Sequence, residues 1–300
     1  MTLPALPLDE WAPTKDTIHR YAQIVGKIRL GAQPFRNHWW HATVRPTVHG
    51  LTTGPIPYAG GAFSLEFDFL DHRLLLATSA GGTATVPLVG QSIASFYRQT
   101  IDGLARLGVE VAIYPVPYDL KPDTPFPDDD PPCPYDPEAV RRWWRVVLWC
   151  EGVFQRFAGR FQGKTSPVQF FWHSFDLAHT RFSGREAPPM PDADPVTREA
   201  YSHEVISFGW WAGDARTPFP AFYAYAAPEP DGLAERLLTP NAAYWQDAGS
   251  SHLAILPWDA VREAADPAAE ALAFLQSAYD AAADAAGWDR TALDRDPPPR

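Results

Sequence analysis

Two long stretches of the chain have the apolar and polar pattern of helices, and each is followed by several short apolar stretches. The first is TKDTIHRYAQIVGKIRL, residues 14–30, and the second is EAVRRWWRVVLWCEGVFQRFAGRF, residues 138–161. Apolar residues at three- and four-residue spacing predict a closing helix in each series, over residues 90–108 and 266–288. The pattern therefore predicts a helix, strands and a helix, twice over.

The strands between those helices can be matched in order. The first half contains AFSLEFDFLDH, RLLLATSA and TATVPL, and the second contains HEVISFGWWAGD, AFYAYAAP and SHLAILP. Trp40-His41 matches Trp172-His173, and Gly26-Lys27 matches Gly163-Lys164. Because strands joined by short turns favour antiparallel pairing, we predict an α+β fold. It has two similar halves from an internal duplication, each an antiparallel sheet of about four strands flanked by helices.

A segment rich in proline and aspartate, YPVPYDLKPDTPFPDDDPPCPY, separates the halves and excludes a central strand or a helix interior. We assign residues 1–116 to the first α+β repeat, 117–136 to a connector and 137–290 to the second repeat. Residues 291–300 are expected to fray. A second proline-rich insertion, REAPPMPDADP, begins at Arg185.

Composition limits the partners and the compartment. A net charge of -11 disfavours nucleic acid and anionic membranes as partners. No apolar run approaches the roughly 20 residues that span a bilayer, and MTLPALPLDEW lacks the features of a signal peptide. Cys133 and Cys150 form no CxxC pair, so no disulfide framework is expected. We expect a globular cytoplasmic protein; the sequence identifies neither a cofactor nor an oligomeric state.

The stretch FFWHSFDLAHTRFSGR, residues 170–185, carries more charge among its aromatic rings than an ordinary strand. Alternate side chains of a strand share a face. In one strand, His173, His179 and Arg181 lie on one face, and Trp172 and Asp176 lie on the other. Polar groups among aromatic rings sit in a low local dielectric, which shifts pKa values and is common at functional sites.

The leading hypothesis is an enzyme that acts on a small molecule near the interface of the halves. His203 or Glu204 is the expected general acid or base, and only one reaches the site because they face opposite sides of a strand. Asp176 is expected to orient that group. Arg181 and Arg185 are expected to bind an anionic substrate, since guanidinium groups hold carboxylate or phosphate bidentately. The other expected substrate contacts are His173, Trp172, His38 and Trp39.

Asp176 is expected to be buried in an interior strand that runs to about Thr180 and turns at Ser183-Gly184. A buried carboxylate needs a partner, and the nearest suitable donors are the arginines and His203. We therefore predict a charge-assisted contact to one of them. On that basis Asp176→Ala is expected to lower the free energy of unfolding by roughly 3–5 kcal/mol.

Structural roles are the main alternative for the individual residues. A histidine within a strand is more often a hydrogen-bonded structural residue than a base, and Asp176 can serve only to pair with an arginine. Arg181 or Arg185 can instead tie the proline-rich insertion to the core. Lys27 and Lys164 follow glycines at points where a helix is expected to end, so we interpret them as parts of helix C-caps.

Two further functional classes stay open. His41, His49, His173 and His179 come from matched strands and would bind a metal ion if symmetry brought them together, although no i,i+4 pair or cysteine ligand supports this. The chain has no GxGxxG, GxxxxGK[ST], HExxH or GxSxG motif. Together with the aromatic surplus, this favours a non-catalytic binding or interaction protein with an aromatic-lined groove.

Longer motifs carry a family resemblance: VGKIRL, NHWW, GLTTGPIPY, GKTSPVQFFWHSFDLAHTRFSGR, and YSHEVISFG followed by FYAYAAPEP. From about Trp11 to Trp288 the chain resembles the bacterial family known as domain of unknown function 5996. The resemblance implies a compact bacterial protein and supplies no activity. Its pattern maps onto Asn37, His38, Trp39, Lys164, Trp172, Asp176, Arg181, Arg185, His203 and Glu204. It does not require histidine at His49 or His179, which weakens the metal alternative.

Overall fold

The computed structural model describes residues 2–295. The helices in this range are α1 (Leu8–Ala32), α2 (Ile93–Arg106), α3 (Pro137–Ala158), α4 (Pro195–Ala200), α5 (Trp258–Arg262), α6 (Pro267–Ala285) and α7 (Arg290–Leu293). The strands are β1 (Arg45–Pro46), β2 (Leu51–Thr52), β3 (Ile56–Tyr58), β4 (Gly61–Asp68), β5 (Arg73–Thr78), β6 (Thr83–Pro87), β7 (Gln169–Phe171), β8 (Asp176–Glu186), β9 (His203–Trp211), β10 (Ala221–Ala227), β11 (Tyr244–Asp247) and β12 (His252–Pro257). None of these helices has the length and apolar character that crossing a bilayer requires.

The strands form two antiparallel sheets. The first has the order β1-β2-β4-β5-β6, with β3 also paired to β4, and the second has the order β11-β12-β10-β9-β8-β7. Alternate residues of β4, such as Phe63, Leu65 and Phe67, are buried, as in a sheet with one face on the core. Helices α1 and α2 pack on the first sheet, and α3 and α6 pack on the second. The predicted α+β class is confirmed, with six strands in each sheet instead of about four.

One pair of residues joins the two sheets edge to edge. Val44, which precedes β1, and Phe170 in β7 exchange both backbone hydrogen bonds, with N–O distances of 3.0 and 2.8 Å. Because β1 and β7 are edge strands, each sheet extends away from this pair through strands of its own half. Their order follows the sequence except that β3 pairs with β4 off this path and β11 lies beyond β12. The matching order supports the predicted duplication, which itself stays a prediction.

The ends of the helices align the two halves with a different offset in sequence from the one that the short Gly-Lys and Trp-His motifs suggested. Helix α1 ends at Ala32 and α3 ends at Ala158. These two ends are as far apart in sequence as Val44 and Phe170, the residues that join the sheets. Gly26-Lys27 lies inside α1, whereas Gly163-Lys164 lies beyond the end of α3. The helix-cap interpretation of the lysines is therefore wrong. The two Trp-His pairs are not equivalent either, since one precedes β1 and the other follows β7.

Gly26 leaves space on α1 for the indole of Trp172. A Cβ atom at position 26 would lie 2.1 Å from Trp172 Cγ. The Trp172 indole N–H donates to the Ala42 carbonyl oxygen, with an N–O distance of 2.6 Å. Trp172 thus holds the turn after β7 against both α1 and the loop before β1.

The connector, residues 117–136, lies along α1. Gln23 Nε2 donates to the Tyr118 carbonyl oxygen at 2.8 Å, and the Tyr118 N–H donates to Gln23 Oε1 at 2.6 Å. Arg20 Nη2 donates to the Lys121 carbonyl oxygen at 3.1 Å. Side chains of α1 therefore satisfy backbone groups of a segment whose prolines prevent regular pairing.

The stretch FFWHSFDLAHTRFSGR is a hairpin with a bulge, and the prediction of a single strand is wrong. Strand β7 ends at Phe171, residues 172–175 turn, and β8 follows directly. Phe175 has a φ of 59°, and its N–H donates to the Phe171 carbonyl oxygen at 2.8 Å. Strand β8 continues through the predicted turn to Glu186, with Gly184 at a φ of 89° in a bulge opposite β9.

Part of the segment predicted to fray has regular structure. Helix α7 covers Arg290–Leu293, and Asp294 accepts hydrogen bonds from the Tyr279 hydroxyl at 2.5 Å and from Arg290 Nε at 2.9 Å. These contacts hold the segment against α6. Residues 296–300 of the same prediction lie outside the described residues.

Replacing either of two glycines inside helices by alanine adds one methyl group, and the two changes are expected to have opposite effects on stability. Gly26→Ala is expected to destabilise the protein by about 1–3 kcal/mol, because the new Cβ overlaps the Trp172 ring. Gly152→Ala in α3 is the matched control: its Cβ meets no described atom within 4 Å, so it is expected to stabilise by about 0.5–1 kcal/mol. Urea unfolding of both variants measures the difference. Equal effects of the two changes would contradict the packing of Trp172 against Gly26.

Candidate functional site

The second sheet places the predicted site residues on two faces. Residues directly opposite each other in antiparallel strands share a face, and the register pairs Asp176 with Trp211 and Phe182 with Val205. We call the face of the sheet that carries these residues the polar face. Alternate residues of β8, including Arg181, lie on the opposite face, against α3 and α6.

Arg181 is fully buried in the core among aromatic rings. Its guanidinium carbon lies 3.7 Å from the ring centre of Phe157 and 4.4 Å from that of Tyr279. Nη2 donates to the Phe157 carbonyl oxygen at 2.7 Å, whereas Nε and Nη1 have no hydrogen-bond partner within residues 2–295. Burial lowers the pKa of Arg181 to about 10. The expectation that Arg181 clamps an anionic substrate is therefore wrong, since the group does not reach the surface.

Arg185 and Glu204 form an ion pair with each other instead of serving a common site. Arg185 Nη2 lies 2.7 Å from Glu204 Oε2. The same guanidinium donates to the carbonyl oxygens of Ala286 and Gly287, just past the end of α6, at 2.7 and 3.1 Å. Cations are favourable at a helix C-terminus. This pair ties β8 and β9 to α6. Arg185 and Glu204 are therefore engaged with each other, and the predicted roles of Arg185 in substrate binding and of Glu204 in catalysis stay predictions.

Asp176 is buried, as predicted, but its partners are hydroxyl groups. It accepts hydrogen bonds from Ser174 and Tyr223. No arginine and no hydrogen bond to His203 satisfies it within the described range, so the predicted charge-assisted contact is wrong. Burial raises the pKa of Asp176, and the two hydroxyl donors oppose that rise.

Further hydroxyl groups continue along the polar face from Asp176. Tyr223 lies across Gly209, where a Cβ would be 2.2 Å from the Tyr223 Cζ. The Tyr223 and Tyr225 rings stack with centres 6.2 Å apart, and the Tyr225 hydroxyl lies 2.9 Å from that of Tyr201. The row of tyrosines therefore extends from the buried carboxylate toward the start of β9.

A cluster of titratable groups lies at the far end of the polar face, where the halves meet. We call it the His38 cluster; it consists of His38 from the first half with Lys164, Glu199 and His203 from the second. Lys164 Nζ lies 2.5 Å from His38 Nε2. The backbone N–H of His38 donates to Glu199 Oε1 at 3.0 Å, and the His203 ring lies edge-on to that of His38 with centres 5.5 Å apart.

Hydrogen bonding determines the tautomer of His38. Its Nδ1 lies 3.3 Å from the Glu199 carbonyl oxygen, which can only accept, so Nδ1 carries the proton. Nε2 is then an acceptor that faces the Lys164 amine. Burial, followed by the neighbouring Lys164, lowers the pKa of His38, and burial also lowers the pKa of Lys164.

Backbone strain and aromatic packing mark the same place. His38 and Trp39 have φ values of 53° and 59°, in the left-handed region, which costs about 1–3 kcal/mol per residue and is concentrated at functional sites. Lys164 Nζ lies 4.7 Å from the ring centre of Phe182 and 5.7 Å from that of Trp40. Trp39 itself points away and packs on His41, with ring centres 5.2 Å apart, so it does not reach the cluster.

A cavity of about 320 Å³ adjoins the cluster at His203. One wall is the proline-rich segment 187–191, and the other includes Arg198, Tyr201 and His203. Tyr201 also ends the row of tyrosines that begins at Asp176. The cavity thus combines an apolar wall with groups that can donate or accept protons.

Trp172 and His173 lie at the opposite end of the polar face, beside Asp176. The His173 carbonyl oxygen accepts from His19 Nε2 at 3.0 Å. Burial lowers the pKa of His173, and Asp176 partly offsets the effect. Phe182, at the His38 cluster, lies six positions along β8 from Asp176, which is roughly 20 Å of strand. A single site that contains all the predicted residues is therefore excluded.

The four histidines of the metal alternative do not meet. His41 Nδ1 accepts from the Arg36 backbone N–H at 3.2 Å, and His179 is buried on the face opposite Asp176. Within residues 2–295, no group of three or more His, Cys, Asp or Glu side chains could hold a metal ion. The structure gives the metal alternative no support.

The sequence did not indicate Lys164 and Glu199 as parts of this cluster, nor Trp40 as an aromatic neighbour of Lys164. Lys164 belongs to the pattern of the family resemblance, which was a usable signal, but its position after a glycine suggested a cap. Glu199 lies in the short helix α4, and nothing in the sequence shows that this helix packs on the turn at Asn37–Trp39.

The chain is an α+β protein in which two antiparallel sheets join edge to edge and a lysine–histidine pair spans the halves. It belongs to the family of unknown function DUF5996, whose sequence pattern matches residues 3–295. This match confirms the resemblance inferred from the motifs. No curated protein and no solved structure matches the chain.

Arg181 can be tested as a core residue by two substitutions. Arg181→Lys is expected to destabilise by about 3 kcal/mol or more, because a buried ammonium keeps the charge and loses the planar stacking. Arg181→Met removes the charge at similar volume and is expected to stay within about 1.5 kcal/mol of the natural protein. Thermal and urea unfolding measure both. A larger loss for methionine than for lysine would contradict this role.

Asp176 is expected to make stability depend on pH. Its folded pKa is raised above the ordinary 3.8, so its contribution is fully present below pH 3.8 and is lost as pH rises through the folded pKa. Asp176→Asn removes this loss, and its stability relative to the natural protein should increase with pH. The exposed Asp123, whose pKa is lowered by hydrogen bonding to Lys121, is the control, and Asp123→Asn should show the opposite sign. Urea unfolding at several pH values measures these differences in the free energy of unfolding. A difference between Asp176→Asn and the natural protein that does not change with pH would contradict a raised pKa at Asp176.

Proposed function

We propose that this protein is an enzyme that performs acid–base chemistry on a small anionic molecule at the His38 cluster. The observation that carries the proposal is the 2.5 Å contact between Lys164 Nζ and the acceptor nitrogen of His38. A base within hydrogen-bond reach of a proton donor, held by a third group, is the arrangement that general acid–base catalysis requires. The strained backbone at His38 supports the same assignment.

His38 and Lys164 are assigned to proton transfer, and His203 to contact with the bound molecule. His203 lines the cavity and lies edge-on to His38. Its Nδ1 lies 3.1 Å from the Ser202 hydroxyl, which can orient the ring. Arg198 in the cavity wall supplies the positive charge for an anionic group, in place of the arginines expected from the sequence.

A binding protein without catalysis is the second candidate. The wall of prolines and Met190 in the same cavity favours it, because an apolar surface holds a ligand without supplying chemistry. Turnover distinguishes the two candidates, since both predict that a ligand enters the cavity.

We further propose a bacterial, cytoplasmic setting and an origin of the halves by duplication. Cys133 and Cys150 are both free thiols, which suits a reducing compartment. The common order of strands on either side of the joining pair supports the duplication. Superposing the strands of the two halves in an experimental structure tests it.

Turnover assays with matched histidine variants test the acid–base proposal. The purified protein is incubated with pooled small carboxylates, phosphates and carbonyl compounds, and products are detected by mass spectrometry. His38→Gln is expected to lower the rate by about 100-fold or more, the usual contribution of a general acid or base. His203→Gln is expected to lower the rate at limiting substrate, because it removes a contact with the bound molecule. His252→Gln, at the Glu229 pair of β12, is the control and should keep the natural rate.

Two outcomes would contradict the proposal. If both cluster variants turn over substrate at the natural rate, the His38 cluster is not catalytic. If a compound raises the melting temperature of the protein but no product forms, the binding candidate is favoured.

A further inference from the structure

We propose that Lys164 is a nucleophile that forms an imine with a small aldehyde or ketone. The inference rests on the proposed function and specifies its chemistry and its substrate class. Lysine amines form such imines with carbonyl compounds when a neighbouring base can take their proton and a partly desolvated setting disfavours the ammonium form. The surroundings of Lys164 supply both conditions.

The base is already aligned with the amine. His38 Nδ1–H is engaged by the Glu199 carbonyl oxygen, so Nε2 presents its lone pair to Lys164 Nζ at 2.5 Å. Hydrogen bonds therefore link the nucleophile Lys164 to the base His38, and His38 to the Glu199 carbonyl group that orients it, as in other activated nucleophiles. The Lys164 side chain is also exposed, so a small carbonyl compound reaches the amine from solvent.

The aromatic neighbours suit both forms of the nitrogen. Phe182 and Trp40 cover one side of Lys164 Nζ and exclude water there, and partial burial lowers the pKa of the amine. Once an imine forms and is protonated, the same rings face an iminium cation, which aromatic faces stabilise.

The step balances without any further reactant. The Lys164 ammonium gives a proton to His38 Nε2, and the free amine attacks the carbonyl carbon as the C–O π electrons move to oxygen. The oxygen takes a proton from the imidazolium, and the nitrogen loses one to the imidazole. The imidazolium returns that proton to the hydroxyl group of the carbinolamine, which leaves as water while the nitrogen lone pair forms the C=N bond. One water is released for each imine, and nothing is oxidised or reduced.

Lys27 is a built-in comparison. The chain has four lysines, Lys15, Lys27, Lys121 and Lys164. Burial lowers the pKa of Lys27 too, and its amine lies 5.7 and 5.8 Å from the ring centres of Tyr114 and Trp172. No histidine lies within hydrogen-bond distance of that amine in the described structure. Lys27 thus shares the aromatic, partly buried setting and lacks the base.

Reductive trapping tests the inference. The full chain is incubated with glyoxylate and cyanoborohydride, and each lysine peptide is followed by mass spectrometry for the added carboxymethyl group. Lys164 is expected to label at least tenfold faster than Lys27 and Lys121, and His38→Gln should bring Lys164 down to the rate of Lys27. Propanal in place of glyoxylate shows whether the carbonyl group alone is sufficient.

Each result decides a separate point. Labelling of Lys164 no faster than Lys27 in the natural protein overturns the inference, and this comparison needs no variant to fold. Unchanged Lys164 labelling in a folded His38→Gln protein overturns the role of His38 as its base. If Lys164 fails to label preferentially while the histidine variants still lose turnover, the imine is rejected and the acid–base proposal stands.

Discussion

The reciprocal backbone pair between Val44 and Phe170 is the constraint on which the arrangement of the halves depends. Among residues 2–295, it joins two sheets whose other strands pair within their own half. It also holds the loop before β1 beside β7, so that His38 and Trp40 lie over Phe182 of β8. Trp172 reinforces the same junction through its hydrogen bond to Ala42. The candidate site is therefore a product of how two edges meet, more than of either sheet alone.

The alternation of side chains along β8 explains why its buried acid, Asp176, and its buried base, Arg181, do not form an ion pair. Asp176 and Arg181 are five residues apart, so they occupy opposite faces of one sheet. Each group is accommodated separately. Two hydroxyl donors stabilise the Asp176 carboxylate, while burial raises its pKa and so favours the neutral acid. Aromatic rings and one carbonyl oxygen stabilise the Arg181 guanidinium. Both solutions use neighbours that are distant in sequence, such as Tyr223 and Tyr279.

Much of the fold could be predicted from the sequence, because helical periodicity and alternation are local properties. The two long helices, the α+β class and the burial of Asp176 all follow from them. The turn at residues 172–175 could not be predicted, since its left-handed residue is Phe175 and no glycine or proline marks it.

The candidate site was harder to predict because partners are chosen by tertiary packing. The opposite orientations of His203 and Glu204 followed from alternation and are confirmed by their contacts with His38 and Arg185. The contact between Lys164 and His38 joins residues far apart in sequence through two irregular loops, where no periodicity applies. Lys164 contacts His38 only because α4 and the first half both pack beside it.

The origin of His38 and Lys164 in different halves makes the chemistry conditional on assembly. Either half by itself would carry only one member of the pair. Separation of the halves would take His38 and Trp40 away from the lysine amine and release the strained turn at His38. The proposed reactivity of the amine is thus a property of the docked molecule, present only while the two halves hold His38 against Lys164.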